Sequence, residues 1–124
     1  MKFLSKFEPL AYSLLRIVMG FLFACHGAQK LFGVLGGHSM VHDPKMLVAG
    51  IIEFVGGVLI AVGLFTRIAA FISSGQMAVA YFTVHAHMNG SYVPIQNGGE
   101  LAVIYCFVCL YIATHGSGKW GIQK

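Results

Sequence analysis

The chain is short of charge, and of acid above all. Of its 124 residues, four are Asp or Glu and eight are Lys or Arg, so that charged side chains amount to 10% against 57% hydrophobic. A soluble domain carries about 25% charged residues, and this composition excludes one in favour of a small membrane protein. The net charge of +4 does not imply nucleic acid, because the basic residues are scattered and never form a run. Cysteine is scarce and odd in number: Cys25, Cys106 and Cys109 all lie inside apolar stretches, which excludes a disulfide-stapled secreted scaffold. No repeat or low-complexity tract interrupts the chain, and a single domain over 1–124 is expected.

What it has is long apolar runs. From Leu10 to Leu31 only Arg16, His26 and Lys30 carry or can carry charge, and a bilayer core of about 30 Å needs roughly 20 such residues in a helix. Lys2 and Lys6 ahead of this run, with Leu22-Phe23-Ala24-Cys25 inside it, resemble a signal peptide. Arg16 within the run and the bulky Phe23 argue against cleavage, and the segment is read as a retained membrane helix. Further spans are expected at about 46–66, 68–84 and 99–115, the last with Gly99, Glu100 and His115 at or just inside the interfaces. The fold class that follows is all-α, an integral membrane four-helix bundle with antiparallel neighbours. Lys2, Lys6, Arg67, Lys119 and Lys124 fall on the face of the termini and Lys30 and Lys45 on the other, which orients both termini to the cytoplasm. Two Gly-rich connections, 32–45 and 85–99, then share the outer face and carry four of the six histidines.

Ionisable groups within such helices must face protein or water. On a helical wheel Arg16, Gly20, Phe23, Gly27 and Lys30 share a stripe with His26 beside it. Glu53 shares a face with Gly57 and Ile60, where small residues let a neighbouring helix approach closely, and Gln76 aligns with Ala80, Thr83 and His87. By depth, Glu53, His26, Lys30, His85, His87 and Glu100 belong to the outer half and Arg16 to the cytoplasmic half. These positions predict an inward polar network of Arg16, Glu53, His85 and Glu100, bridged through Gln76 or water where Arg16 and Glu53 stand too far apart. The plainer reading of Glu53, paired with Lys30 or His85, is a structural ion pair that fixes helix register.

No metal site is assigned. His85 and His87 point to opposite sides of a helix, and His38 and His42 beside Asp43 read as solvated loop residues. Haem held by two histidines is the other metal cofactor considered, without an attachment motif for it. Cys106 and Cys109 form a dithiol pair on a helix but sit among apolar residues, which favours packing over redox work. Asn89-Gly90-Ser91 matches a glycosylation acceptor by pattern alone.

Several blocks together resemble a known family. Leu15-Arg16-Ile17-Val18-Met19-Gly20 followed by His26-Gly27-Ala28-Gln29-Lys30-Leu31-Phe32-Gly33, then Ile52-Glu53-Phe54-Val55-Gly56-Gly57 and Gly63-Leu64-Phe65-Thr66-Arg67, are similar to the opening half of the DoxX family of small four-helix membrane proteins. Thr83-Val84-His85, Gly98-Gly99-Glu100-Leu101 and Gly116-Ser117-Gly118-Lys119-Trp120 resemble its later blocks, with His115 and Ser117 departing from its usual tail. The resemblance implies a bacterial cytoplasmic (inner) membrane location and an association with quinone-linked redox chemistry. On that footing Glu53, His85 and Glu100 are the expected catalytic groups, Arg16, His26, Lys30 and Gln76 the expected cofactor-binding groups, and quinone the expected cofactor. A chain this small calls for a partner redox subunit or a homo-oligomer beside the lipid bilayer. Two other functions remain: a carrier or pore for a small solute, proton or metal ion lined by the same residues, and a membrane thiol oxidoreductase built on Cys106 and Cys109.

Overall fold

A computed structural model describes residues 2–87 and 90–123, and over these the chain is helical, with no strand among the described residues. A short exposed helix α1 (Lys2–Ser5) leads into α2 (Glu8–Phe32), followed by α3 (Pro44–Val62) and α4 (Thr66–Thr83). A single 3-10 turn at His85–His87, a one-turn helix α5 (Pro94–Asn97) and the last long helix α6 (Glu100–His115) complete the order.

Local chemistry sets the ends. Asp43 starts α3, its side chain accepting a hydrogen bond from the Lys45 backbone N–H at 3.0 Å, with Pro44 in the first turn, where its missing N–H costs nothing. Gly63 stops the same helix in the left-handed conformation at φ 77°, its N–H reaching back to Leu59 and Ile60. The expected second span ran on to 66. Gly63 ends it at Val62 instead, and Thr66 already belongs to α4. Phe65, between the two, holds φ 50°.

Helices α2 and α3 run antiparallel, since Arg16 meets Ile60 while Lys30 meets Glu53. They touch through glycine. A Cβ on Gly20 would come within 2.5 Å of the Ala61 nitrogen, and one on Gly57 within 2.6 Å of the Gly20 carbonyl oxygen. Adjacent Gly56 turns about 100° away and meets α4, where a Cβ would stand 2.7 Å from Ser73 Oγ. Helix α3 is thereby packed between α2 and α4, α4 packs on α6, and α6 returns to α2 through rings: Phe23 on Tyr105 and Tyr12 on Tyr111, with centroids 5.2 and 5.9 Å apart.

The interior is polar as well as apolar. Ser13, Arg16, Glu53, Ser73 and Asn97 are buried with Phe23, Ile60, Cys109 and Ile112, while Phe21, Ile68, Phe71, Val79 and Phe107 point outward and are exposed. Outward apolar surface of this extent suits a lipid solvent. Among the described residues, α2 and α3 are long and apolar enough to cross a membrane on length and composition. The segments expected to span at 68–84 and 99–115 are helical, but α6 has 16 residues, about 24 Å at 1.5 Å per residue against a core of about 30 Å. Helix α4 includes Arg67, Ser73, Ser74 and Gln76, which lower its apolar character.

Candidate functional site

One end of the helix cluster, where residues 33–43, 84–87 and 90–99 lie, holds a cavity of about 240 Å³. Lys30 from the last turn of α2 and Glu53 from the middle of α3 form an ion pair on its wall, the Lys30 Nζ donating to Glu53 Oε2. The pair is lopsided in burial: the Glu53 side chain is 1% exposed and that of Lys30 25%. His26 lies one turn before Lys30 on the same face of α2, its ring edge-on to Tyr105 with centroids 5.8 Å apart. His85 reaches the cavity from the 3-10 turn after α4. Its Nδ1 is buried and makes no hydrogen bond in the described structure. Met77 and Ala80 of α4 and Leu101, Ala102 and Tyr105 of α6 supply the apolar wall. A cavity with an apolar lining, a few convergent polar groups and a buried charge pair is the usual form of a small-molecule site.

The cover of this end is knotted together by hydrogen bonds. Tyr81 donates its hydroxyl to the Tyr92 carbonyl, Asn97 Nδ2 donates to Tyr81 Oη at 3.2 Å and to the Ser91 carbonyl at 3.0 Å, and the Gly99 N–H donates to Asn97 Oδ1 at 2.9 Å. Tyr81, Tyr105 and Asn97 are organisers that sequence reasoning missed. The Pro94 start and Gly98 stop of α5 were legible as a helical turn, but not what that turn would pack against.

The expected network of four does not form as one cluster. Glu53 and His85 line the cavity together with Lys30 and His26. Arg16 does not join them: it is fully buried toward the opposite end of α3, with Nη1 donating to the carbonyls of Ile60 and Ala61 at 2.6 and 2.8 Å. Ile60 lies seven residues from Glu53, about 10 Å along the helix. Its role there is that of a cation at a helix C-terminus, satisfying carbonyls that the helix leaves unpaired. Glu100 is exposed and outside the cavity lining, because it is the first residue of α6, where a carboxylate faces the positive end of its own helix. Gln76 is one turn before Ala80 on α4 and outside the lining, with Oε1 buried and unbonded. The side chain of His87 and the acceptor Asn89 lie outside the described residues.

Other sequence candidates fall elsewhere. His38 and His42 are exposed, and among the described residues no three His, Cys, Asp or Glu side chains gather as a metal set. Cys25, Cys106 and Cys109 are free thiols, Cys109 fully buried, and Ser74 Oγ stands 3.5 Å from Cys106 Sγ while donating to the Cys106 carbonyl. At the far end Tyr12 stacks on His115 at 3.6 Å and donates to the Gly116 carbonyl, and Arg67 donates to the carbonyls of Ala113, Thr114 and His115, closing the C-terminus of α6.

Comparison with known proteins agrees with this picture at the level of family. The DoxX family model matches residues 11–86. A protein of Haemophilus influenzae described as uncharacterized is 46% identical over 126 residues, covering 98% of this chain and 94% of that one. A Bacillus subtilis protein named "Putative oxidoreductase CatD" is 28% identical over 109 residues, covering 84% of this chain and 78% of that one. No solved structure matches the chain.

Proposed function

The chain belongs to the DoxX family of membrane proteins, and from that premise we propose that it is a quinone-linked redox protein of the bacterial cytoplasmic membrane. In this reading the four long helices cross the bilayer as an antiparallel bundle with both termini cytoplasmic, the Glu53 cavity lies toward the outer face, and a partner redox subunit or a second copy supplies the electron path. The observation that carries it is the buried Glu53 carboxylate, paired with Lys30, on the wall of a cavity that His26 and His85 also line. The name of the Bacillus subtilis relative agrees with redox work.

A quinone supplies two-electron chemistry, and the chain's residues supply what that chemistry needs around it. Glu53 and Lys30 would hold the head group, the carboxylate as acceptor and the ammonium as donor. His26 and His85 hold or pass the protons that accompany reduction and oxidation. The Tyr105 ring and the apolar wall take the flat face of the head group and keep water from it.

The test is occupancy. Protein isolated in native lipid patches is extracted and its quinone content measured by mass spectrometry, beside quinone-linked electron transfer in membranes. Wild type is expected to retain quinone, and Glu53→Gln to lose about 10- to 100-fold in affinity, as expected for one charge-assisted hydrogen bond of about 1.5–3 kcal/mol. Solute flux in proteoliposomes with no bound quinone, or electron transfer indifferent to Glu53→Gln, would defeat the proposal.

A further inference from the structure

The seam between α2 and α6 differs from the others. Helices α2 and α3 meet glycine against backbone, whereas α2 and α6 are held apart by rings, Phe23 against Tyr105 and Tyr12 against Tyr111. The space so kept open is a groove of about 440 Å³ on the outward face. Val18 and Leu22 line it from α2 and Ile104 and Val108 from α6, and its lining is almost wholly apolar. Leu101 and Tyr105 belong to this groove and also to the wall of the Glu53 cavity. The polar cavity and the apolar groove therefore adjoin across one leucine and one tyrosine.

Size decides what each can take. At about 240 Å³ the cavity falls below the roughly 300 Å³ at which sites for whole drug-sized ligands begin. A substituted ring fits, but a ring with its chain does not. Toward the polar connections, Tyr81, Tyr92 and Asn97 are tied to one another by hydrogen bonds. We propose that the α2–α6 groove seats the first isoprenoid units of a quinone whose ring occupies the Glu53 cavity, so that the ligand enters sideways from the bilayer past Tyr105. This rests on the quinone reading of the cavity. A chain leaving lipid for the groove gains no hydrophobic free energy, since both media are apolar, and its gain comes from packing alone. The groove therefore orients the ring more than it tightens binding.

The experiment uses the full chain in lipid nanodiscs and a quinone carrying a photoreactive diazirine on its first isoprenoid unit, with cross-links mapped by mass spectrometry. Labelling is expected within 15–22 and 101–108, saturable and displaced by excess tail-free ring analogue. Ile104→Trp and Val18→Trp, at positions 55% and 52% exposed, fill the groove and are expected to cut that labelling about tenfold while leaving binding of the tail-free analogue unchanged. Saturable labelling that maps to 90–99 instead overturns the groove and leaves the ring site standing. Unsaturable labelling spread over outward residues such as Phe71 and Val79 overturns both. A diazirine phospholipid that labels the groove equally and is not displaced by quinone makes it a lipid seat and overturns the proposal.

Discussion

Removing either member of the Lys30–Glu53 pair has unequal consequences, because the two are unequally buried. In Lys30→Met the carboxylate of Glu53, 1% exposed, loses its cation. Breaking a buried pair from this side costs about 3 kcal/mol or more. The methionine keeps the stem that packs beside Gly50, where Lys30 Cβ lies 3.2 Å from an added Cβ, so little of the loss comes from packing. In Glu53→Gln the stranded partner is Lys30, 25% exposed, whose long stem can carry the ammonium toward the headgroups. The amide still accepts one hydrogen bond, and a loss of about 1 kcal/mol is expected. The double variant, with no charge left to strand, should recover most of what Lys30→Met loses. Reversible unfolding in mixed detergent micelles, followed by circular dichroism, measures all three. If Glu53→Gln proves as damaging as Lys30→Met, or the double variant no better than Lys30→Met alone, the ion pair is not the buried, one-sided element described.

Two further outcomes test the packing that positions the site. Gly57→Leu drives a side chain into the backbone of Gly20 and Ala24 and should cost at least the roughly 1–3 kcal/mol of core overpacking, whereas Gly75→Ala, with nothing within 4 Å of its Cβ, should be neutral or stabilising by up to about 1 kcal/mol; equal effects in the same unfolding assay would refute glycine-mediated contact between α2 and α3. Tyr81→Phe removes the hydroxyl that bonds Tyr92 and Asn97, at about 1–2 kcal/mol, and should speed amide exchange across 90–99 without changing the exchange of α2; an unaltered exchange pattern would show that this knot does not hold the cover in place.

The helices and the inward carboxylate were legible because lipid imposes a plain code. Apolar runs must be helical, and charges within them must find partners. Gly56 and Gly57 beside Glu53 marked where another helix comes close, and Lys30 stood among the partners weighed for the carboxylate. The sequence also allowed that Arg16 and Glu53 stand too far apart to pair directly, and Arg16 bonds the Ile60 and Ala61 carbonyls instead. Glu100 was misplaced because depth says nothing about which way a first-turn residue points, and its position directly after Gly99 was the neglected signal. Arg67 was read only as an orientation charge, yet it binds three carbonyls at the end of α6. Those partners lie 46 to 48 residues away, and no local pattern reports a contact of that range. The Tyr81–Asn97 knot was hidden for the same reason.

The Glu53 carboxylate comes with its own cation, so the cavity is electrically balanced before anything enters it. On the quinone reading proposed above, a neutral guest that arrives from the bilayer and leaves again carries no net charge along the membrane normal. The transmembrane voltage, worth about 2.3 kcal/mol per elementary charge for each 100 mV, does no work on such a cycle. On that reading, occupancy of the cavity follows the membrane's pool of guest, and the voltage does not itself drive it.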